Sequence, residues 1–326
     1  MENSKIQKRV VGVDISNETT TYAIVDVRGN IIAEADFPTT DYPNINDFVT
    51  VLCERIIELV EANGGYESIR SVGISCPSAN YVTGNIVNAP NLSWKGVVPL
   101  SALIRDRLGL AVGISNDAHA AALGEHAYGA AHGMKDFILV NVGVGLGSCF
   151  FSNGNEHHGA EGYAGEFGHT CLIPGGRRCG CGKQGCIEAY VASKGIVLTA
   201  QELMAESDKP SLMRDISNLT PREITECCKQ GDELAIEVYR RTGELLGLGL
   251  ANYASIVNPE AIIISGGISR AGRFLMEPAK AAFEDHVFHN IRGKVKIQVS
   301  SLDNRERDVL GASAVAWVVK EYSLFK

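Results

Sequence analysis

Three thiols and one imidazole crowd a short stretch of this 326-residue chain. His169 is followed by Cys179, Cys181 and Cys186, with Gly180, Gly182 and Gly185 among the cysteines. Thiolate sulfur and imidazole nitrogen suit a tetrahedral zinc ion, and three sulfurs plus one nitrogen close its coordination sphere. Such a site is structural, because it leaves no position for a reacting water. The glycines let the backbone fold tightly enough for Cys179 and Cys181 to reach one ion. Of the other cysteines, Cys53, Cys76, Cys149 and Cys171 lie in apolar or strand-like stretches and read as buried thiols. Cys227 and Cys228 adjoin on a helical stretch and point to different faces. An odd total of nine without an export signal argues for metal rather than disulfides.

A second group surrounds Asn116-Asp117, which opens the alanine-rich segment AHAAALGEHAYG. An aspartate before such a helix is a favoured N-cap, and spacing alone favours that reading. A carboxylate at the same junction can also take a proton as a general base. Glu166 and Glu188 stand beside His169 and Cys186, where glutamates otherwise read as solvated surface groups. Asn91 follows Pro90 in a turn, and Trp94 nearby reads as loop packing. Gly266-Gly267 after the strand AIIIS admits close approach of a flat ligand, although a plain strand-to-helix turn looks identical. His157 and His158 read as solvated residues near a loop tip.

The elements that must position these residues can be read from periodicity. VVGVDIS, TTYAIVDV and IIAEADF form strands joined by turns, and NINDFVTVLCERIIELVE has helical spacing ended by Asn-Gly-Gly. SIRSVGISC is a buried strand, and residues 77–98 read as a long loop rich in Pro, Asn and Gly. A short helix at 100–108 leads to the strand LAVGIS. The second half repeats the opening: the strand DFILVNVG, a glycine turn, the strand SCFF. Helices are predicted at 188–205, 220–229, 232–256, 271–285 and 307–322, with strands AIIIS and KVKIQVSSL among them.

Length and composition bound the rest. A chain of 326 residues suits two lobes better than one core. Hydrophobic residues at 45% and charged residues at 21% give ordinary globular composition. Thirty basic against thirty-eight acidic side chains leave a charge of −8, which repels nucleic-acid phosphates. No run of eighteen apolar residues occurs and the start MENSKIQKR has no apolar h-region, so neither membrane insertion nor export is expected and a cytoplasmic location is.

GAEGYAGEFGHT followed by CGCGKQGCIE resembles the ROK family of bacterial sugar kinases and sugar-responsive repressors, whose pattern is GxxGxAGExGH and then CxCGxxGCxE. The resemblance continues through VVGVDIS, APNLSW, SNDAHAAALGE, VNVGVGLGS and VNPEAIIISGGIS, nearly the whole chain. It implies an α/β, actin-like (ribonuclease H-like) two-lobed ATPase fold with an interlobe cleft. Residues 1–117 would form a small lobe joined by a C-terminal helix at 307–326, and 118–306 a large lobe with the zinc loop. It implies a hexose or N-acetylhexosamine held by Asn91, Asn116, Asp117, Glu166, His169 and Glu188, with Asp117 as the base for the 6-hydroxyl. His169 would touch the sugar while its other ring nitrogen joins Cys179, Cys181 and Cys186 on zinc. ATP with Mg²⁺ would involve Asp14, Thr19, Gly143, Gly145, Gly266 and Gly267, with Gly311 also bordering the nucleotide. A homodimer is expected by analogy.

Both phosphate loops depart from the family pattern. Where it reads D-x-G-G-T, this chain places Ser16, Asn17 and Glu18 after Asp14, and a carboxylate there would repel phosphate. A local shift of one residue would present Thr19 instead. Where the family reads G-T-G-x-G, this chain has Asn141-Val142-Gly143-Val144-Gly145, a hydroxyl exchanged for methyls. Two readings follow: a kinase that relies on backbone amides and magnesium, or a sugar sensor that has lost nucleotide. With a strand already near residue 9, an N-terminal helix-turn-helix like the repressors' is not expected.

Overall fold

The structure, a computed structural model, describes residues 8–302 and 306–319. The chain divides into two compact units. One takes in the residues up to Gly133, His158–Ala164 and those from Ser301 onward; the other comprises Met134–His157 and Gly165–Ser300. The first unit therefore extends past the expected boundary at residue 117, because the helix that begins there packs with the rest of that unit.

In the first unit β1 (Arg9–Ile15), β2 (Thr19–Asp26) and β3 (Ile31–Pro38) form an antiparallel meander. Helix α1 (Ile45–Ala62) follows, capped by the Asn44 side chain on the Asn46 N–H, and leads to β4 (Ile69–Ser75). Three short strands come next, β5 (Ala79–Asn80), β6 (Asn85–Val87) and β7 (Val97–Val98), in the stretch read from sequence as a loop. Then come α2 (Leu100–Leu108), β8 (Ala111–Ser115) and α3 (Asp117–Tyr128). The sheet order is β3-β2-β1-β4-β8. β1 is apolar nearly throughout because both of its faces are covered. Val11, Val13 and Ile15 meet Phe48, Leu52 and Ile56 of α1 on one side, and Val10 faces the opposite cluster. Edge strand β3 alternates buried and exposed residues, as one wetted face requires.

The second unit opens with β9 (Phe137–Val142), β10 (Leu146–Ser152) and β11 (Asn155–Glu156). The predicted helix at 188–205 breaks at Ala192 into α4 (Glu188–Val191) and α5 (Ser193–Glu206). Helices α6 (Pro221–Lys229) and α7 (Glu233–Val257) precede β12 (Ala261–Ser265), followed by α8 (Arg273–His286) and β13 (Lys296–Val299). The sheet order, β11-β10-β9-β12-β13, repeats that of the first unit strand for strand. Asp232 caps α7 through the Ala235 N–H, and Asn258 ends it in the left-handed conformation. Its apolar face packs on α8 above Ile138, Val140 and Ile262.

The chain then returns to the first unit as α9 (Arg307–Val318), which lies on β1, β4 and α3. The helix ends at Val318, with Val319 extended, short of the 322 expected from the sequence; residues 320–322 lie outside the described residues. At Gly311 a Cβ would stand 2.7 Å from the Ala120 carbonyl, so α9 and α3 meet backbone to backbone there. No helix among the described residues is long and apolar enough to cross a membrane.

Candidate functional site

The second unit gathers His169, Cys179, Cys181 and Cys186 so that one donor atom from each lies within 4.8 Å of the others. Cys179 Sγ is 3.6 Å from His169 Nδ1, and Cys181 Sγ is 3.7 Å from Cys186 Sγ. A tetrahedral ion with Zn–S near 2.3 Å and Zn–N near 2.0 Å requires edges of roughly 3.5–3.8 Å. The donor chemistry and the spacing both fit zinc. A tight turn brings the thiols together: the Gly182 N–H donates to the Cys179 carbonyl, and the Cys179 N–H to that of Lys183.

His169 turns its other nitrogen outward. Its Nε2 lies 3.9 Å from Glu166 Oε2, and its Nδ1 3.9 Å from Glu188 Oε1. Glu188 links two structures, since its Oε2 accepts from the Leu146 N–H at the base of the 142–146 glycine turn. Glu166, His169 and Glu188 are thus brought together. Gly145 sits under Glu188, where a Cβ would stand 2.9 Å from the Glu188 Oε2.

The same turn borders a cavity of about 650 Å³. Gly143 and Gly267 line it, and a Cβ on either would meet nothing within 4 Å. Gly266 has a different task. At φ +91° it presses on the Val142 carbonyl, 2.3 Å from where a Cβ would lie, so only glycine fits. Helix α6 supplies the opposite wall, with Arg222 and Lys229, and Arg270 adds a third cation. Sequence reading passed over these side chains; their one signal was the amphipathic helix Pro221–Lys229. The concern over Val142 is removed, because its methyls are buried in the core. Exposed Val144 stands at the turn's tip.

In the first unit the sheet register aligns Asp14 with Ser75 and Ser75 with Ser115, at the carboxyl ends of β1, β4 and β8. The chain passes directly from Ser115 into Asn116 and Asp117. The N-cap is Asn116, whose side-chain oxygen accepts from the His119 N–H at 2.9 Å. Asp117 is the first helical residue, and its carboxylate is not spent on the cap. That carboxylate is exposed to solvent, with protein packed around it on the remaining sides. Burial, then the neighbouring Asp308 carboxylate, push the Asp117 pKa up to about 7. Burial, followed by Asp308 and Asp117, pushes Asp14 up to about 8. Asp308 was not foreseen. It lies on the first turn of α9 beside Arg307, whose guanidinium holds it at 2.7 Å. Residues 14, 117 and 308 meet only through tertiary packing.

The Ser16–Thr19 turn closes on itself: Ser16 Oγ donates to the Thr19 carbonyl and accepts from the Thr19 N–H. Glu18 projects exposed from this turn, and Thr19 is half-buried. Asn91 is exposed on a turn braced by Lys95, whose ammonium donates to the carbonyls of Ala89, Pro90 and Leu92. Trp94 is packing, buried against Phe48 and donating to the Tyr42 carbonyl. His158 is not a solvated tip residue; it stacks on Tyr81 at 4.3 Å. Cys171 is exposed, contrary to the buried thiol expected.

Two sheets of one strand order, each backed by helices, define a protein of the actin-like α/β class, here with a Cys₃His cluster in its second unit. The chain belongs to the ROK family, whose model matches residues 10–319. It is 32% identical to a glucokinase of Halalkalibacterium halodurans over 95% of this chain and 94% of that protein. It is 28% identical to a xylose repressor of Caldicellulosiruptor bescii, over 94% of this chain and 77% of the repressor. Among solved structures, a ROK family glucokinase of Streptomyces griseus in complex with glucose and AMPPNP superposes with a TM-score of 0.76 at 28% identity, covering 95% and 99% of the two chains.

Proposed function

We propose that this chain is an ATP-dependent hexokinase that phosphorylates the 6-hydroxyl of glucose or an N-acetylhexosamine. The observation that carries the reading is the division of labour at α3: Asn116 caps the helix, leaving the Asp117 carboxylate free, with a pKa of about 7. A base poised near neutrality both exists in its charged form and accepts a proton readily. Asp117 takes the hydroxyl proton as the oxygen attacks phosphorus. Glu166, His169 and Glu188 offer acceptors and a ring nitrogen to adjacent sugar hydroxyls, and Asn91 and the Asn116 amide supply further contacts. The adenosine end of ATP seats in the cavity at Gly143 and Gly267, beside the Arg222, Lys229 and Arg270 cations. Asp14 supplies a carboxylate oxygen for Mg²⁺, which when bound neutralises phosphate charge. Zinc at His169, Cys179, Cys181 and Cys186 stiffens the His169 wall and performs no chemistry. The glucokinase relatives support this assignment.

A second reading, a sugar-binding sensor without turnover, is favoured by the self-closed Ser16–Thr19 turn and the exposed Glu18. The repressor relative points the same way. An ADP-release assay with magnesium-ATP across glucose, N-acetylglucosamine and N-acetylmannosamine separates the two. The kinase reading expects saturable turnover with at least one sugar. Sugar-dependent thermal stabilisation with no ADP release from any of them leaves the sensor.

A further inference from the structure

The cysteine cluster has a fifth member that plays no part in the proposed metal site. Cys171 lies opposite Cys186 in an antiparallel bridge. The hydrogen bonds around the pair run from the Leu172 N–H to the Gly185 carbonyl, 2.8 Å, and from the Ile187 N–H to the Thr170 carbonyl, 3.1 Å. They flank the two cysteines without joining them, so this is a non-hydrogen-bonded pair. In such a pair the Cα atoms approach to about 4.5 Å and both side chains leave the same face. That separation falls inside the range a disulfide spans, roughly 4.4–6.8 Å. Cys171 Sγ also lies near Gly185, 3.2 Å from where a Cβ on that residue would stand. The two thiols differ in access: Cys171 is exposed and Cys186 is buried.

We propose that Cys171 and Cys186 form an oxidisable pair whose disulfide, made with a hydroperoxide as oxidant, takes Cys186 from the metal and releases it. This rests on the zinc assignment given above. Exposed Cys171 reacts first. Its sulfur attacks the terminal oxygen of hydrogen peroxide, the O–O bond breaks, and a sulfenic acid and one water result. The Cys186 sulfur then leaves the metal and attacks the sulfenyl sulfur. The S–S bond forms, the S–O bond breaks, and the departing hydroxide takes a proton to leave as a second water. One thiol, Cys171, and one thiolate, Cys186, lose two electrons and one proton between them; the peroxide gains the electrons, and with that proton and one from solvent it leaves as two waters. Cys179, Cys181 and His169 alone would then remain to hold zinc, three donors where a closed site needs four, so the metal would be bound less tightly. A dithiol reductant reverses the linkage.

The test uses the full chain, first assayed for zinc by elemental analysis, then treated with hydrogen peroxide while a chromogenic chelator records free zinc. Non-reducing peptide mapping identifies the linked cysteines. The expected result is zinc release in step with a 171–186 cross-linked peptide, both restored by dithiothreitol and added zinc. Cys171→Ser, which keeps all four ligands, should slow release about tenfold or more and yield no such peptide. Release at an unchanged rate in Cys171→Ser, or mapping that finds only links among Cys179, Cys181 and Cys186, overturns the proposal. A chain that carries no zinc before oxidation refutes the metal assignment instead, and the mapping still decides whether Cys171 and Cys186 join.

Discussion

Asn116 and Asp117 divide two jobs that a lone aspartate would have to share. The Asn116 carboxamide takes the N-cap position, so in the proposed kinase the Asp117 carboxylate next to it would be the group that accepts the substrate proton. Its pKa of about 7 has a direct consequence for the pH profile. Below that value Asp117 is protonated and cannot act as a base, so kcat/KM should rise as pH is raised and level off above about 7. Because Asp14 and Asp308 lie close, the observed midpoint belongs to the group rather than to one residue. A profile flat from pH 5 to 8 would argue against Asp117 as the base. At this scale the clustering of His169, Cys179, Cys181 and Cys186 was legible, because the three cysteines sit within eight residues. Asp308 was not, since it is nearly two hundred residues from Asp117 and only α9 packing brings it there.

At the scale of elements, the α3–α9 contact holds the start of α3, and with it Asp117, in place. Gly311 meets the Ala120 carbonyl with no room for a side chain. Gly311→Val should therefore destabilise the protein by about 1–3 kcal/mol or more through overpacking, read as a lowered urea midpoint. An unchanged midpoint would mean that this interface yields more easily than its geometry implies. The sequence had suggested a nucleotide role for Gly311, since a glycine for close helix packing and a glycine for close ligand approach have the same letter. Hairpin strands and long helices such as α1 and α7 were readable from their periodicity and caps. The strands β5–β7, two or three residues each, were not, because segments that short are stabilised only by their partners. The break between α4 and α5 at Ala192 also lacks a local signal: neither proline nor glycine stands there, and Ser193 is drawn off to hydrogen-bond the Gly143 carbonyl.

For the molecule as a whole, the repeated sheet order was faintly visible as the echo of the opening strands near residue 137, whereas the extent of each unit was not. Contacts alone reveal that His158–Ala164 belongs with the first unit, through Asn80 on the Glu161 carbonyl and His119 on that of Ala164. Two carboxyls raised from 3.8 to about 8 and about 7 also set a global trend. The folded state retains protons there that the unfolded chain releases, so their stabilising contribution is full below pH 3.8 and is lost as pH rises through about 7 to 8. Asp117→Asn should accordingly flatten the decline of the urea midpoint between about pH 4 and 7. An equal or steeper decline would show that the site is better hydrated than its packing indicates. Zinc removal by a chelator should lower the melting temperature and weaken sugar binding together, because the Cys₃His cluster fixes the His169 ring. Undiminished sugar affinity in the zinc-free protein would show that the metal does not orient that wall.

The most direct measurement compares wild type with Asp117→Asn in two readouts on the same preparation: hexose binding by calorimetry and ADP release with magnesium-ATP. The account predicts sugar affinity within a few-fold of wild type and turnover reduced by roughly 10²–10⁴. Equal turnover in the two proteins would contradict it.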